Sequence, residues 1–471
     1  MPPISLPAEI FKAYDIRGIV GKTLTPEIVE AIGHALGSEA RLRKQTEICI
    51  GYDGRLSGPE LAAALSRGIC KAGIDVINLG MVATPMVYFA AHHLKTNCGV
   101  MVTGSHNPPD YNGLKMVLAG ETLSNNSIQD LRKRIEANDF TFGAGYERKY
   151  DIAADYIGAI QADINLARPI QIAVDCGNGV AGAFAKALYN AIGCRVDELF
   201  CEVDGHFPNH HPDPSVPENL TDLTAALKTT RAELGLAFDG DGDRLGVVTK
   251  DGNIIYPDRQ LLLFAEHVLK QNLGATIIYD VKSTRHLNRW IKSHGGIPLM
   301  WKTGHSLVKA KIKETRAALA GEMSGHVFFN DRNKQGQKRW YGFDDGLYAG
   351  ARLLEILSHF PNVSDVLNGL PDSVSTPEQH INMNEGEPHK LIAHLQHHPQ
   401  LSAGFAGATE IITIDGLRVE YHDGFGLMRA SNTTPVVVLR FEADNDTALK
   451  RIQQAFRTVI LSAVPHVQLP F

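Results

Sequence analysis

The chain has 471 residues, 44% of them hydrophobic and 21% charged, with a formal net charge of −6. That length exceeds what one hydrophobic core sustains and predicts three or four domains at roughly 100–200 residues each. No apolar run reaches the ~18 residues of a membrane span, and the acidic balance argues against an extended nucleic-acid surface while leaving room for small anions held by local positive charge.

The opening stretch "MPPISLPAEIFKAYDIRG" has neither a basic n-region nor an apolar h-region, so no secretory signal is expected. The six cysteines, at positions 49, 70, 98, 176, 194 and 201, lack CxxC or metal-type spacing, which predicts reduced thiols in a cytoplasmic protein. Within "FKAYDIRG", Tyr14 and Arg17 stand three residues apart, a spacing that fits one helical turn.

Next comes an apolar strand-like run ending in Asp, and it recurs twice. The copies are "EICIGYDGRLSG" at Asp53, "IQIAVDCGNGVAG" at Asp175 and "ATIIYDVKSTRHL" at Asp280. Their separations of 122 and 105 residues are too long for a solenoid and suit a duplicated domain. Each copy runs on into a helix-like stretch closed, or nearly closed, by glycine, and such alternation predicts a mainly parallel α/β sheet. Further on, each copy has a short apolar strand, a polar loop and another strand. The loops are "GSHNPPDYNG", "DGDGDR" and "GEMSGH", whose Ser105, Asp239 and Glu322 lie 52, 64 and 42 residues past the aspartate.

Beyond about residue 370 the pattern changes. "STPEQHINMNEGEPHKLIAHLQ" predicts a strand and a helix, and "EIITIDGLRVEYHDGFGLMRASNTTPVVVLRFEA" predicts antiparallel strands with Asp-Gly turns. A last helix is expected over roughly 445–463. The expected class is α/β, with three related mixed α/β domains in tandem (1–150, 151–251 and 252–367) and a smaller C-terminal α+β domain (368–471).

The sharpest chemical signal is "DGDGDRLG". Asp239, Asp241 and Asp243, separated by glycines, form a compact oxygen cage for a hard divalent cation. An EF-hand is excluded, because Arg244 and Lys250 stand where that loop needs Gly and Glu. Mg²⁺ fits better than Ca²⁺, being held by few carboxylates plus phosphate oxygen. In "VTGSHNPPDYNGLK", Ser105 is no hydrolase nucleophile: G-x-S-x-G is absent, and His106 is too close in sequence to act as its base. A phosphoserine, with about −1.5 to −2 charges and three acceptor oxygens, would complete a metal site at the aspartate cage. In "GEMSGH", Glu322 and Ser324 fall on one face if the segment is extended, and together suit vicinal sugar hydroxyls. In "RASNTTP", Arg429, Ser431, Asn432, Thr433 and Thr434 supply an arginine fork, hydroxyls and N–H groups for a phosphate dianion.

Taken together, "AYDIRG", "TGSHNPPDYNG", "DGDGDR", "GEMSGH" and "RASNTTP" resemble the α-D-phosphohexomutase superfamily, most closely its bacterial phosphomannomutase/phosphoglucomutase branch. The resemblance spans essentially the whole chain. It implies four domains around a central cleft, the last of them TATA-binding-like, and reversible phosphoryl transfer between O1 and O6 of glucose and mannose phosphates. It also implies Mg²⁺ as cofactor and glucose 1,6-bisphosphate as intermediate and activator, in a cytoplasmic monomer that binds small hexose phosphates, with no nucleic-acid or membrane partner. Carried onto this sequence, Ser105 is the phosphorylated residue and completes the metal site of Asp239, Asp241 and Asp243. Glu322 and Ser324 hold sugar O3 and O4, and Arg429, Ser431, Asn432 and Thr433 hold the phosphate that is not transferred. Tyr14, Arg17, Lys282 and His305 match positions that contact ligand. His106, Lys115 and Arg244 surround the transferring group, with acid and base roles open among them. Alternatives are a phosphoglucosamine or phosphoacetylglucosamine mutase on the same scaffold and, from another class, a non-catalytic phosphosugar-binding paralogue, which would be expected to have lost Ser105 or a metal carboxylate. One departure is "NDRNKQGQK" between "GEMSGHVFF" and "RWYGFDDG", a polar insertion expected to form a hairpin extension or a partial lid.

Overall fold

One strand order recurs in three of the four sheets of the computed structural model, which describes residues 6–397, 404–432 and 434–471. In the first sheet, Glu47–Tyr52 lies parallel to Asp75–Met81 on one side and to Gly99–Val102 on the other. Gly99–Val102 then pairs antiparallel with Tyr111–Leu118. In the second, Gln171–Asp175 lies between Arg195–Leu199 and Leu234–Phe238, and Leu234–Phe238 is antiparallel to Leu245–Thr249. In the third, Thr276–Asp280 lies between Ile297–Trp301 and Leu319–Gly321, and Leu319–Gly321 is antiparallel to Val327–Phe329.

Parallel neighbours need crossovers, and helices such as Gly58–Lys71, Ala185–Ala191 and His286–Ser293 supply them. Asp53, Asp175 and Asp280 therefore stand at the C-terminal end of each central strand. The three polar loops occupy equivalent reversals beside them, the edge of an α/β sheet where ligands gather.

The first sheet is widened by Ile16–Ile19, antiparallel to Tyr111–Leu118 with Arg17 opposite Gly113. Tyr14 and Arg17 thus do not share a helical turn: Tyr14 lies in a bend and Arg17 in a strand. The strands approach so closely that a Cβ on Gly113 would lie 2.1 Å from the Ile16 carbonyl oxygen. The second sheet ends on Ile254–Ile255, antiparallel to Leu245–Thr249, on the far side of the boundary expected at 251.

In the fourth sheet every pairing is antiparallel, in the order Val374–Ser375, Val436–Ala443, Gly424–Ala430, Leu417–Tyr421, Glu410–Ile412, with Gln379–Asn382 also on Val436–Ala443. Helices Glu387–Gln396 and Asp446–Ala463 cover it, and the Asn445 side chain caps the second by accepting from Ala448 N at 3.0 Å. This domain has its own core around Ile381, Phe441, Ile452 and Phe456, whereas one continuous core, including Met86, Tyr156, Phe238, Phe264 and Leu347, crosses the other three. The third and fourth domains meet largely through arginines: Arg418 donates to Val281 O (2.7 Å) and Ser283 O (2.6 Å), and Arg440 to Asp258 (2.9 Å).

The insertion is a small hairpin closed by an antiparallel bridge between Arg332 and Lys338. It is pinned by a bidentate ion pair of Asp331 with the buried Arg352 (2.9 and 2.8 Å) and by Asn272, which accepts from Arg332 N at 3.1 Å. Among the described residues, no helix is long and apolar enough to cross a membrane.

Candidate active site

Ser105 has a backbone φ of +50°, in the left-handed region, which costs a residue other than glycine about 1–3 kcal/mol unless its surroundings enforce it. Its N–H donates to Thr103 Oγ1 (2.7 Å), and that hydroxyl donates to Asp53 (2.7 Å). From below, the buried Arg55 guanidinium donates to the carbonyls of Ser105 (2.8 Å), Asn107 (2.6 Å), Pro108 (2.6 Å) and Tyr111 (2.9 Å). The first repeat's aspartate and the arginine two residues later thus hold the serine loop rigid. The Ser105 hydroxyl donates to Asp239 at 3.4 Å and lies 3.2 Å from His106 Nδ1. Arg17 reaches the same loop, donating to Asn107 Oδ1 (2.5 Å) while paired with Asp15.

The oxygens of Asp239, Asp241 and Asp243 cluster within 4.8 Å of one another, fully buried. Asp239 accepts from the backbone N–H of both Asp243 and Arg244 at 3.1 Å, which sets the curl of the loop. Asp241 accepts from Thr84 Oγ1 (2.5 Å), and its backbone carbonyl from Thr84 N (2.9 Å), so the start of helix Thr84–His93 fastens the first domain to the metal loop. Lys115 donates to Asp241 at 2.8 Å and also to Asp243. Burial opposes its charge, but the two aspartates outweigh burial and hold the ammonium above the ordinary lysine range. Burial, then Asp243 and Asp241, push the Asp239 carboxyl well up, and Asp241 Oδ1 has no hydrogen-bond partner at all. Compact carboxylates, two of whose oxygens (Asp241 Oδ1 and Asp243 Oδ1) have no hydrogen-bond partner and one of which is pushed up by burial and its acidic neighbours, fit a hard divalent cation.

Arg244 ties this cage to the third domain. Its Nε lies 3.7 Å from Asp239 and donates to His326 Nε2 at 3.4 Å, and that imidazole nitrogen is 3.3 Å from Asp243. The segment from Glu322 to His326 is a tight turn, not the extended stretch that the Glu322–Ser324 spacing suggested. Glu322 N donates to His326 O (2.9 Å), Gly325 N donates to Glu322 O (3.0 Å), and Gly325 takes φ +102°. The turn aims both Glu322 (3.5 Å) and Ser324 (2.8 Å) at His326 Nδ1. Glu322 also accepts from Gly304 N at 2.5 Å, just ahead of helix His305–Thr315, and burial pushes its carboxyl up. His305 is buried with its ring 5.8 Å from those of Tyr14 and His326, and burial, with Lys309 beside it, holds its imidazole well below the usual range.

Tyr14 carries the chain of contacts into the fourth domain through a hydrogen bond with Asn432, and burial pushes its phenol up to about 12. Arg429 donates to Asp415 through Nε (3.0 Å), leaving Nη2 buried without a partner. Asp415 in turn accepts from Thr303 N (3.0 Å) in the loop before His305. Ser431 Oγ accepts from Thr434 N at 3.3 Å, and Lys282 is paired with Glu378 at 2.5 Å. Every residue expected at the site lies on this network from Ser105 to Arg429 or directly beside it, except Thr433, which is outside the described residues.

Four participants carried no role in the sequence reading. Arg55 clamps the serine loop, Thr84 joins two domains, and His326 links the Glu322–His326 turn to the aspartate loop. Asp344 is buried 3.6 Å from His305 and 3.9 Å from His326, and accepts from Lys309 at 2.8 Å. Only His326 had a signal, its place in "GEMSGH"; the others act through partners far away in sequence.

The four sheets coincide with four matches to family models for phosphoglucomutase/phosphomannomutase: α/β/α domains I (residues 8–142), II (154–252) and III (256–374), and the C-terminal domain (381–459). The chain belongs to the phosphoglucomutase/phosphomannomutase family. Among individual members, it is 59% identical to a phosphoglucomutase of Neisseria gonorrhoeae over 99% of both chains. It is 54% identical to a phosphomannomutase/phosphoglucomutase of Pseudomonas aeruginosa over 99% of this chain and 98% of that one. The crystal structure of a family protein from Burkholderia thailandensis, 57% identical, superposes with a TM-score of 0.93 over 99% of this chain and 100% of that one.

Proposed function

We propose that the protein is a hexose phosphate mutase that interconverts the 1-phosphates and 6-phosphates of glucose and mannose through a phosphoserine at position 105. The observation that carries this reading is the Ser105 hydroxyl, 3.4 Å from Asp239 at the edge of a buried three-aspartate cage. Family membership and relatives named for this activity support the reaction class. Asp239, Asp241 and Asp243 would hold Mg²⁺, joined by an oxygen of the phosphorylated serine. When bound, the ion neutralises charge on the transferring phosphoryl group.

In the forward half-reaction the bond from phosphorus to Ser105 Oγ breaks, and a bond to the free sugar hydroxyl, O6 or O1, forms. The hydroxyl proton passes to a base, and Ser105 Oγ takes up a proton from a neighbouring acid as the phosphoryl group leaves, which restores the free serine hydroxyl; acid and base exchange roles in the return half. The 1,6-bisphosphate so formed reorients, and its other phosphate returns to Ser105. Lys115, Arg244 and Arg17 would balance the charge on that group. His106, 3.2 Å from the serine hydroxyl, is held well below the usual imidazole range by burial and by Arg244. His326 is the imidazole best disposed to take the proton, because one nitrogen faces the sugar turn and the other the metal loop.

Glu322 and Ser324 would grip O3 and O4, which exchange places when the sugar flips, and leave C2 unread. Arg429, Ser431, Asn432 and Thr433, with Tyr14, Lys282 and His305, would hold the resting phosphate. The six cysteines, which lack CxxC or metal-type spacing, support a reducing, cytoplasmic setting.

Turnover of glucose 1-phosphate, mannose 1-phosphate and glucosamine 1-phosphate, with Mg²⁺ and glucose 1,6-bisphosphate present, tests the reading. Isomerisation of the glucose and mannose esters without stoichiometric phosphate release is expected. Phosphate release matching substrate loss would make the protein a phosphatase, and a preference for the amino sugar would shift the specificity.

A further inference from the structure

A cavity of about 1000 Å³ opens between the first and third domains and is lined by helix His305–Thr315, the hairpin insertion and the end of helix Thr84–His93. Of the side chains in the network above, only Lys309 reaches it.

Its lining is strongly cationic. Lys309, Lys313, Arg316, Arg332 and Lys338 face two carboxylates, Glu121 and Glu314. Both carboxylates are already engaged elsewhere, Glu314 by Lys311 at 2.7 Å and Glu121 by Arg43 at 3.2 Å, with Lys313 3.8 Å from Glu121. Among the described residues, Arg316 and Lys338 meet no carboxylate, and Arg332 Nη1 donates to the Gly336 carbonyl. At the floor, the Lys309 ammonium lies 4.1 Å from the ring centre of Tyr88 and donates to Asp344 at 2.8 Å. Burial holds Lys309 below the ordinary lysine range even though Asp344 is its neighbour. Like charges gathered around a concave wall focus a field that favours anions. The volume matches that of small-molecule sites.

We propose that this cavity binds a polyphosphate anion of up to nucleoside-triphosphate size, its phosphates held by Lys309, Arg316 and Lys338. The site goes beyond the mutase reaction and does not depend on it. Calorimetric titration of the Mg²⁺-loaded protein with ATP and with inorganic tripolyphosphate tests it, each in the presence and absence of saturating glucose 1-phosphate. Both anions are expected to bind once per chain with the sugar phosphate present. In the doubly substituted Arg316→Glu, Lys338→Glu protein, both affinities should fall by about tenfold or more while hexose phosphate turnover is unchanged. The substitutions are at exposed positions, so the fold is retained, and a thermal melt checks this. Absence of binding, complete displacement by glucose 1-phosphate, or unchanged affinity after charge reversal would each overturn the proposal.

Discussion

Asp241 serves two interactions at once. One oxygen accepts from Thr84 and Lys115, and the other has no partner in the protein. Asp241→Asn keeps the shape but removes one anionic ligand, so the Mg²⁺ concentration for half-maximal turnover should rise by at least roughly 10-fold. Wild-type Mg²⁺ activation in this variant would mean that the metal is held elsewhere. Arg429 is the counterpart in the fourth domain, buried with Nη2 unpaired. Its charge-assisted hydrogen bonds to a phosphate are worth about 1.5–3 kcal/mol, so Arg429→Ala should weaken binding roughly 10- to 150-fold. In the proposed reaction the phosphates on C1 and C6 take turns at one site, so glucose 1-phosphate and glucose 6-phosphate should lose affinity by similar factors in a direct titration. A loss confined to one isomer would mean two separate phosphate sites. The acidic and basic residues of these loops were legible in the sequence because each motif is short and contiguous. Arg55 was not, since its partners are carbonyls about fifty residues away that a sequence cannot bring together.

At the scale of elements, the repeated run of strand, aspartate and helix was legible because it depends on local periodicity and turn chemistry, and it proved to be one strand order used three times. Two local readings failed for physical reasons. Tyr14 and Arg17 have helical spacing, but pairing of Ile16–Ile19 with Tyr111–Leu118 decides the conformation. Glu322 and Ser324 alternate as in a strand, but the positive φ of Gly325 folds them into a turn. The helix Pro257–Leu269 carries its own test. Burial, with Arg352 and Arg339 nearby, holds His267 down at about 4 against 6.5 for a free imidazole. The unfolded chain therefore takes up a proton below about pH 6.5 that the folded chain refuses until about pH 4, so stability is full above pH 6.5 and is lost as the pH falls through that window. The loss should reach about 2–3 kcal/mol by pH 4, measured by urea unfolding against pH. His267→Leu, which replaces a ring whose Nδ1 has no partner, should flatten that dependence.

At the scale of the molecule, three domains share a continuous core, and the fourth has its own and is attached largely through arginines to main-chain carbonyls and buried carboxylates. In the reaction proposed above, such a junction would let the fourth domain grip a phosphate over a platform that holds the serine loop, the aspartate cage and the Glu322–His326 turn. The sequence carried the order of these parts but not their closure. The contacts that join the domains, Thr84 to Asp241, Arg244 to His326 and Tyr14 to Asn432, are between residues distant in sequence. In the reaction proposed for this assembly a single phosphoryl group shuttles between Ser105 and the sugar. Protein labelled with radioactive phosphate at Ser105, mixed with unlabelled glucose 1-phosphate and Mg²⁺, tests that shuttle most directly in a rapid quench. Label should leave the protein at the rate of turnover and appear first in glucose 1,6-bisphosphate, then in glucose 6-phosphate. Label that stays on the protein through many turnovers, or leaves only as inorganic phosphate, would contradict it.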